Sequence, residues 1–389
     1  MRTIIVYRDL LLSPSETFVR SQGEALRRFV PYYVGSRRTE GLRLPKSRTI
    51  VVNAGGTLGR IREAVSKVCG FTPGLVPRIR SLNPVLIHAH FGPDGIWAMR
   101  LAAQLRIPLI VTFHGFDATV EDRFIRHSFY SHRVYLRRRE ALKVGASLFI
   151  AVSHFIKNKL LQQGFPPEKI LVHYIGVDTN VFLPDRSVKR ERVVLFVGRL
   201  VEKKGCEYLI RAMRIVQARD PETKLVVIGD GRLRNELEGL ASVSLRRATF
   251  VGTQPPERVR EWMNRATVFS VPSITATSGD SEGFGMVFAE AQAMGLPVVS
   301  FATGGIPEAV AHEATGFLAA ERDYESLAEY ICILLNNSEL WQRFSAAARK
   351  RVLAGFDLGK QAELLEGIYE DVLRGEIGTL CQKSCASPS

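Results

Sequence analysis

Eleven short apolar runs punctuate this chain. Six lie in the first half: TIIVY (3–7), TIVV (49–52), VLIHAH (85–90), LIVTF (109–113), LFIAVS (148–153) and KILVHYI (169–175). Five follow in the second: VVLFVG (193–198), KLVVIG (224–229), ATFVG (248–252), TVFSVP (267–272) and PVVSF (297–301). The runs are almost continuously apolar, as strands covered on both faces are, and helical patterns of about 10 to 15 residues separate them. Each half therefore predicts a parallel sheet with helices on both sides, a doubly wound α/β domain. Between the series, DTNVFLPDRSVKRER (178–192) carries a proline and a charge cluster without strong periodicity, the composition of a linker.

The expected organisation is an N-terminal domain over 1–177, a linker over 178–192 and a C-terminal domain over 193–355. A helix over 356–375 is expected to pack back on the first domain, followed by a flexible tail over 376–389. The two Rossmann-like domains are expected to face each other across a cleft, where a ligand would bind.

Charge changes this picture by dividing it. Residues 1–185 hold 27 Lys and Arg against 13 Asp and Glu, and residues 186–389 hold 26 against 26, so the net +14 belongs to the first half. Its densest part, RFIRHSFYSHRVYLRRREALK (123–143), interleaves seven cations with aromatic and aliphatic residues. That segment reads either as a solvated helix face or as a contact for anionic lipid or an anionic acceptor. No helix-turn-helix, zinc-finger or ribonucleoprotein signature accompanies it, so no nucleic-acid partner is expected. No apolar run approaches the ~20 residues that cross a bilayer, and Arg8 and Asp9 stand where a secretory signal needs its apolar stretch. A cytoplasmic protein is expected, at the inner face of the membrane if the basic half meets anionic lipid. Five cysteines, an odd number and mostly scattered, do not make a disulfide framework.

Candidate chemistry concentrates in the second half. In EGFGMVFAEAQAMGLPVVS (282–300), the loop after TVFSVP carries Glu282, and MVFAEAQAM reads as a helix that Gly295 and Pro297 end. Glu290 falls about one turn into that helix, among Phe288, Ala289, Ala291 and Ala293, which argues against a solvated charge. Gly283 and Gly285 let backbone approach a ligand, and the first free amides of the helix can donate to an anion. That combination suits a sugar attached to a diphosphate. In LFVGRLVEKKG (195–205) a strand ends at Gly198-Arg199 and Lys203-Lys204-Gly205 precede the next helix, cations suited to a pyrophosphate leaving group. GDGRLR begins like a dinucleotide fingerprint, but Arg234 occupies the place of its last glycine, so no such cofactor is expected.

Together with TFHGFD (112–117), AVSHFIKNKL (151–160), IGVDTNVF (175–182), VVIGDGRLRNELE (226–238) and EGFGMVFAEAQAMGLPVVSFATGGIPE (282–308), these segments resemble the retaining glycosyltransferases of family 4. The resemblance implies the GT-B fold and transfer of a hexose from a UDP- or GDP-sugar, with retention and with neither cofactor nor catalytic metal. It implies that Glu282 binds donor-sugar hydroxyls, that Glu290 holds the ribose, and that Arg199 with Lys204 grips the diphosphate. The strand end at Gly198 and the backbone of Gly283, Phe284, Gly285, Met286 and Val287 would complete the donor contacts, with Glu282, His114, Arg199 and Lys204 as the catalytic set.

Many relatives carry a Gly-Gly loop after the first strand, where this chain has LLSPSETFVRSQ (11–22). The SETF stretch and the long loop SITATSGDSEG look like a bacterial exopolysaccharide subgroup of the colanic acid type, whose polymers grow on lipid carriers. Glu16, Thr17 and His114 are accordingly expected on the acceptor side, with a glycan or lipid-linked acceptor. His88 and His90 share a strand face and suggest a metal, but no third ligand is evident. A transferase acting on a small soluble metabolite keeps every motif, and a sugar nucleotide epimerase would use the same cleft without an acceptor.

Overall fold

The computed structural model describes residues 1–13, 16–39, 41–69 and 74–378. The tail cysteines Cys381 and Cys385, and Ser15 of SETF, lie outside the described residues. The chain forms two compact units, one of Met1–Gly176 with Leu358–Ser389 and one of Val177–Asp357.

Unit 1 is built on β1 (Arg2–Tyr7), β2 (Leu10–Leu11), β3 (Phe29–Arg38), β4 (Thr49–Asn53), β5 (Pro84–His90), β6 (Leu109–Phe113), β7 (Leu148–Ala151) and β8 (Ile170–Val172). They form one sheet in the order β2-β3-β1-β5-β6-β7-β8, with β4 also paired to β3. Every pairing is parallel. β3 was not among the predicted strands because Pro31 and Gly35 interrupt it. Pro31 is tolerated because pairing with β4 begins only at Tyr33, so its missing N–H removes no ladder bond on that edge. The helix Leu358–Arg374 inserts Leu365, Ile368, Tyr369 and Val372 into the core around Ile4, Val6, Phe29 and Leu86. Its buried Glu366 accepts the backbone N–H groups of Arg27 and Arg28 at 2.7 and 2.5 Å.

Unit 2 contains β9 (Val193–Val197), β10 (Lys224–Ile228), β11 (Ala248–Gly252), β12 (Val268–Phe269), β13 (Val298–Phe301) and β14 (Gly316–Ala319). Their order, β11-β10-β9-β12-β13-β14, reverses direction between β9 and β12. Loops leaving two such neighbouring strands diverge to opposite faces and leave a crevice at the carboxyl edge. In unit 1 the same reversal falls between β1 and β5.

The segment 178–192, expected as a linker, packs on unit 2. Asp185 N–H donates to Asn264 at 3.0 Å, and Arg190 donates to the carbonyls of Met263, Ala266 and Met294 at 2.9, 2.7 and 2.8 Å. The first two carbonyls end the helix Pro256–Arg265 and the third follows Met286–Ala293, so one guanidinium satisfies acceptors that helix termini leave free.

Candidate functional site

The loop after β9 and the loop after β12 meet at the reversal point of unit 2. The first makes a single 3-10 turn, Glu202–Lys204, closed by Gly205. Gly205 has φ +61, and a Cβ there would lie 1.9 Å from the carbonyl oxygen of Pro272, so only glycine allows the approach. Further bonds close the contact. Ile274 N–H donates to the Lys203 carbonyl at 2.8 Å, and Glu202 accepts from the N–H and hydroxyl of Thr277 at 2.8 and 2.7 Å.

This zipper separates the two lysines that the sequence sets side by side. Lys203 is buried and its ammonium donates to Asp280 at 2.9 Å, which makes it a structural cation. Lys204 turns to Glu282, with Nζ 2.6 Å from Oε2 and each side chain 13% exposed. Burial opposes the Glu282 charge, but Lys204, Lys203 and Arg199 outweigh it and hold the carboxyl down at about 2. Arg199 is exposed, following Gly198 at the end of β9.

Beyond Glu282 the chain passes through Gly283, Phe284 and Gly285 into the helix Met286–Ala293. Gly285, at φ +83, is the residue before the helix, and a Cβ there would strike the Phe288 ring at 2.4 Å. Phe284 is buried against Phe356, while Met286 and Val287 are half-buried in the first turn. Glu290 stands one turn on. Its carboxylate makes no hydrogen bond or salt bridge among the described residues, and burial pushes it up to about 7 despite Lys204. Gly304 and Gly305 of the ATGG turn support this arrangement, Gly305 N–H donating to the Glu282 carbonyl at 2.9 Å. The sequence reading assigned that turn no role; its signal was the GG pair inside the long motif.

In unit 1 a second polar cluster follows the β1/β5 reversal. Arg8 grips both oxygens of Glu16, at 2.7 and 3.2 Å, bonds Asp94, and stacks over Phe91 at 4.3 Å. Burial opposes its charge, but Asp94 and Glu16 keep Arg8 above its ordinary value and cationic. Each oxygen of Glu16 thus accepts one bond from Arg8. Thr17 opens the helix Thr17–Glu24, and the next residue, Phe18, lies 4.9 Å from the His114 ring.

His114 Nε2 is 3.0 Å from His90 Nδ1, and its own Nδ1 is buried without a hydrogen-bond partner among the described residues. Burial, then His88 and Arg8, hold it well below the imidazole range, so it is neutral. Asp117, which sequence reasoning did not single out, accepts the N–H groups of Gly92, His114 and Gly115 at 3.0, 3.1 and 2.9 Å and fixes this strand end. The metal reading of His88 fails on geometry. Its Nδ1 meets Tyr369 and its Nε2 meets Thr112, each at 2.6 Å, leaving no ring nitrogen for an ion. Among the described residues no group of three or more His, Cys, Asp or Glu gathers to hold a metal.

The profile of the glycosyl transferases group 1 matches residues 182–351, and that of glycosyltransferase family 4 matches residues 15–181. The amylovoran biosynthesis glycosyltransferase AmsK of Erwinia amylovora is 33% identical over 288 residues, which are 71% of this chain and 69% of AmsK. The chain belongs to glycosyltransferase family 4. The putative colanic acid biosynthesis glycosyltransferase WcaL of Salmonella typhimurium is 34% identical over 249 residues. That match spans 62% of this chain and 59% of WcaL. Among solved structures, HepE of Anabaena in complex with UDP and glucose matches with a TM-score of 0.78 at 22% identity, over 95% of this chain and 100% of HepE. This likeness establishes the GT-B fold of the family 4 chain.

Proposed function

We propose that this glycosyltransferase moves a hexose from a nucleoside diphosphate sugar to a glycan on a lipid carrier in bacterial exopolysaccharide assembly, with retention and without a catalytic metal. The observation that carries the donor reading is the contrast between two carboxylates eight positions apart. Glu282 is ionised and tied to Lys204, and Glu290 is unpartnered and held up to about 7. A half-buried carboxylate without a partner is costly to ionise until something donates to it, and the two hydroxyls of a ribose do so. Glu282 accepts from the donor-sugar hydroxyls. Lys204 and exposed Arg199 meet the diphosphate, whose charge grows as the glycosidic bond breaks, and that growth is what fixed cations stabilise in the transition state. The amides of the first turn of Met286–Ala293 add donors at the positive end of the helix.

In unit 1, neutral His114 meets the reacting sugar as a hydrogen-bonding group. Glu16 contributes on the acceptor side through Arg8, whose position it fixes, and Thr17 through its hydroxyl. The leaving phosphate takes the acceptor proton, so no side chain need serve as general base. The exopolysaccharide setting is supported by the names of AmsK and WcaL, and the nucleoside diphosphate donor by the UDP and glucose bound to HepE.

Calorimetric titration of UDP-glucose, UDP-galactose, UDP-N-acetylglucosamine and GDP-mannose into wild type and Glu290→Ala tests the donor site. Binding of one nucleotide class, lost in the variant, is expected. Equal binding in both proteins removes the ribose role, and no binding of any donor removes the reading.

A further inference from the structure

The helix Gly92–Leu105 of unit 1 carries Trp97, Arg100, Leu101 and Gln104 at the three-, four- and seven-residue spacing that puts side chains on one face. That face closes one wall of a cavity of about 50 Å3. Val34 of β3, Val52 of β4, and Leu75 and Val76 of the helix Leu75–Arg80 stand on its other sides. The cavity lies wholly within unit 1, and Arg8, Glu16, Thr17 and His114 are not in its lining.

Two N–H groups of this lining lack an acceptor. Trp97 is 8% exposed, and its Nε1 has no hydrogen-bond partner among the described residues. The same is true of Nη1 of half-buried Arg100, which forms no ion pair among them either. Lys67, the other cation of the lining, is taken by Asp9 at 3.0 Å and Glu63 at 2.9 Å, so the uncompensated charge is that of Arg100. Buried donors are nearly always satisfied, and an unmade bond costs most where the group is charged. Three or four waters would fill the space, at roughly 10 to 15 Å3 each, and leave that charge unpaired.

We propose that the cavity binds a short-chain monocarboxylate, its oxygens received by the Arg100 guanidinium and the Trp97 N–H, and its aliphatic end set against Val34, Val52, Leu75, Val76 and Leu101. The planar fork of a guanidinium matches the two coplanar oxygens of a carboxylate. A cation would be repelled by Arg100, and a neutral ligand would leave its charge uncompensated. Inorganic phosphate would give up its hydration to aliphatic walls that offer it no bond.

The test is calorimetric titration of sodium propionate into the full chain, at an ionic strength held fixed with sodium chloride, beside propionamide and inorganic phosphate. Wild type should bind propionate and neither of the others. Arg100→Gln and Trp97→Phe should each weaken that binding about tenfold or more, the scale for one lost hydrogen bond to a charged group. Arg100 makes no bond within the described fold for the first change to remove, so that variant should unfold at the wild-type midpoint or above it. Propionate should also shift the emission of Trp97, a change absent from Trp97→Phe, because the other two tryptophans, Trp262 and Trp341, belong to unit 2. No nucleotide sugar enters the experiment, so its outcome is independent of the donor reading. Absence of propionate binding overturns the proposal. So does propionate binding that both variants retain, propionamide binding of equal strength, or phosphate that displaces propionate at equal concentration.

Discussion

Replacing Glu290 with Gln removes one charge and almost no volume, and its consequences should run in opposite directions for the fold and for the donor. Burial lifts this carboxyl from 4.5 to about 7. Below about pH 4.5 the group is neutral whether the chain is folded or unfolded, and it neither helps nor harms. As pH rises towards 7 the unfolded chain releases the proton and the folded chain keeps it, so stability falls with pH across that window. Above it the ionised, unpartnered carboxylate costs the fold about 3 kcal/mol, at 1.36 kcal/mol per pH unit. Glu290→Gln should therefore raise stability at pH 8 by up to about 3 kcal/mol and change it little at pH 4.5. Denaturant midpoints of the donor-free protein at both pH values measure this. Donor affinity should behave oppositely. It should fall in wild type as pH drops through 7, about tenfold by pH 6, because only the ionised group accepts both ribose hydroxyls, and Glu290→Gln should be weak and flat with pH. Equal effects of the substitution on stability at pH 4.5 and pH 8 would refute the assignment of burial as the cause. A wild-type affinity indifferent to pH would refute the ribose role.

Lys204→Ala should lower turnover about 10²- to 10³-fold, the scale for one electrostatic contact to developing charge, and should leave acceptor KM nearly unchanged. Unchanged turnover removes the leaving-group role. Gly205→Ala forces a Cβ into the Pro272 carbonyl at φ +61, so the loss of stability should exceed the roughly 1 kcal/mol of an ordinary glycine substitution; an unaltered thermal midpoint would contradict it. Tyr369→Phe leaves buried His88 Nδ1 without its 2.6 Å partner and should cost about 1 to 3 kcal/mol in equilibrium unfolding.

The strands that apolar runs announce are present, because a strand buried on both faces must be apolar along its whole length. β3 and β14 escaped for local reasons, Pro31 and Gly35 in one and the brevity of GFLA in the other. The positions of Glu282, Glu290 and Lys204 were legible from a strand ending and a helix beginning nearby. Their partners were not. Nothing in EKKG says that Lys203 goes to Asp280 and Lys204 to Glu282, since each contact closes across more than seventy residues. Arg8, Glu16 and Asp94 converge only once β1 and β5 lie side by side. The helix Gly56–Cys69 hid its meaning differently. Its periodicity would turn Leu58, Ile61 and Val65 inward, yet they are exposed, and the contacts among Asn53, Glu63, Lys67 and Asp9 that set the other face against the sheet close only in the fold.

The return of Leu358–Arg374 to unit 1 makes unit 2 an insertion. The chain enters it at Val177 and leaves at Asp357, residues joined in an isolated parallel bridge, with the Val177 N–H bonded to the Phe356 carbonyl at 2.8 Å. A ribosome working from the amino end thus finishes unit 2 before it delivers Leu365, Ile368, Tyr369 and Val372 to the waiting core of unit 1. A chain cut short between Asp357 and Leu365 contains all of unit 2 but none of the four side chains that close the core of unit 1. The core of unit 1 therefore closes only after the whole of unit 2 has been made, which sets Leu358–Arg374 as a late step in its folding.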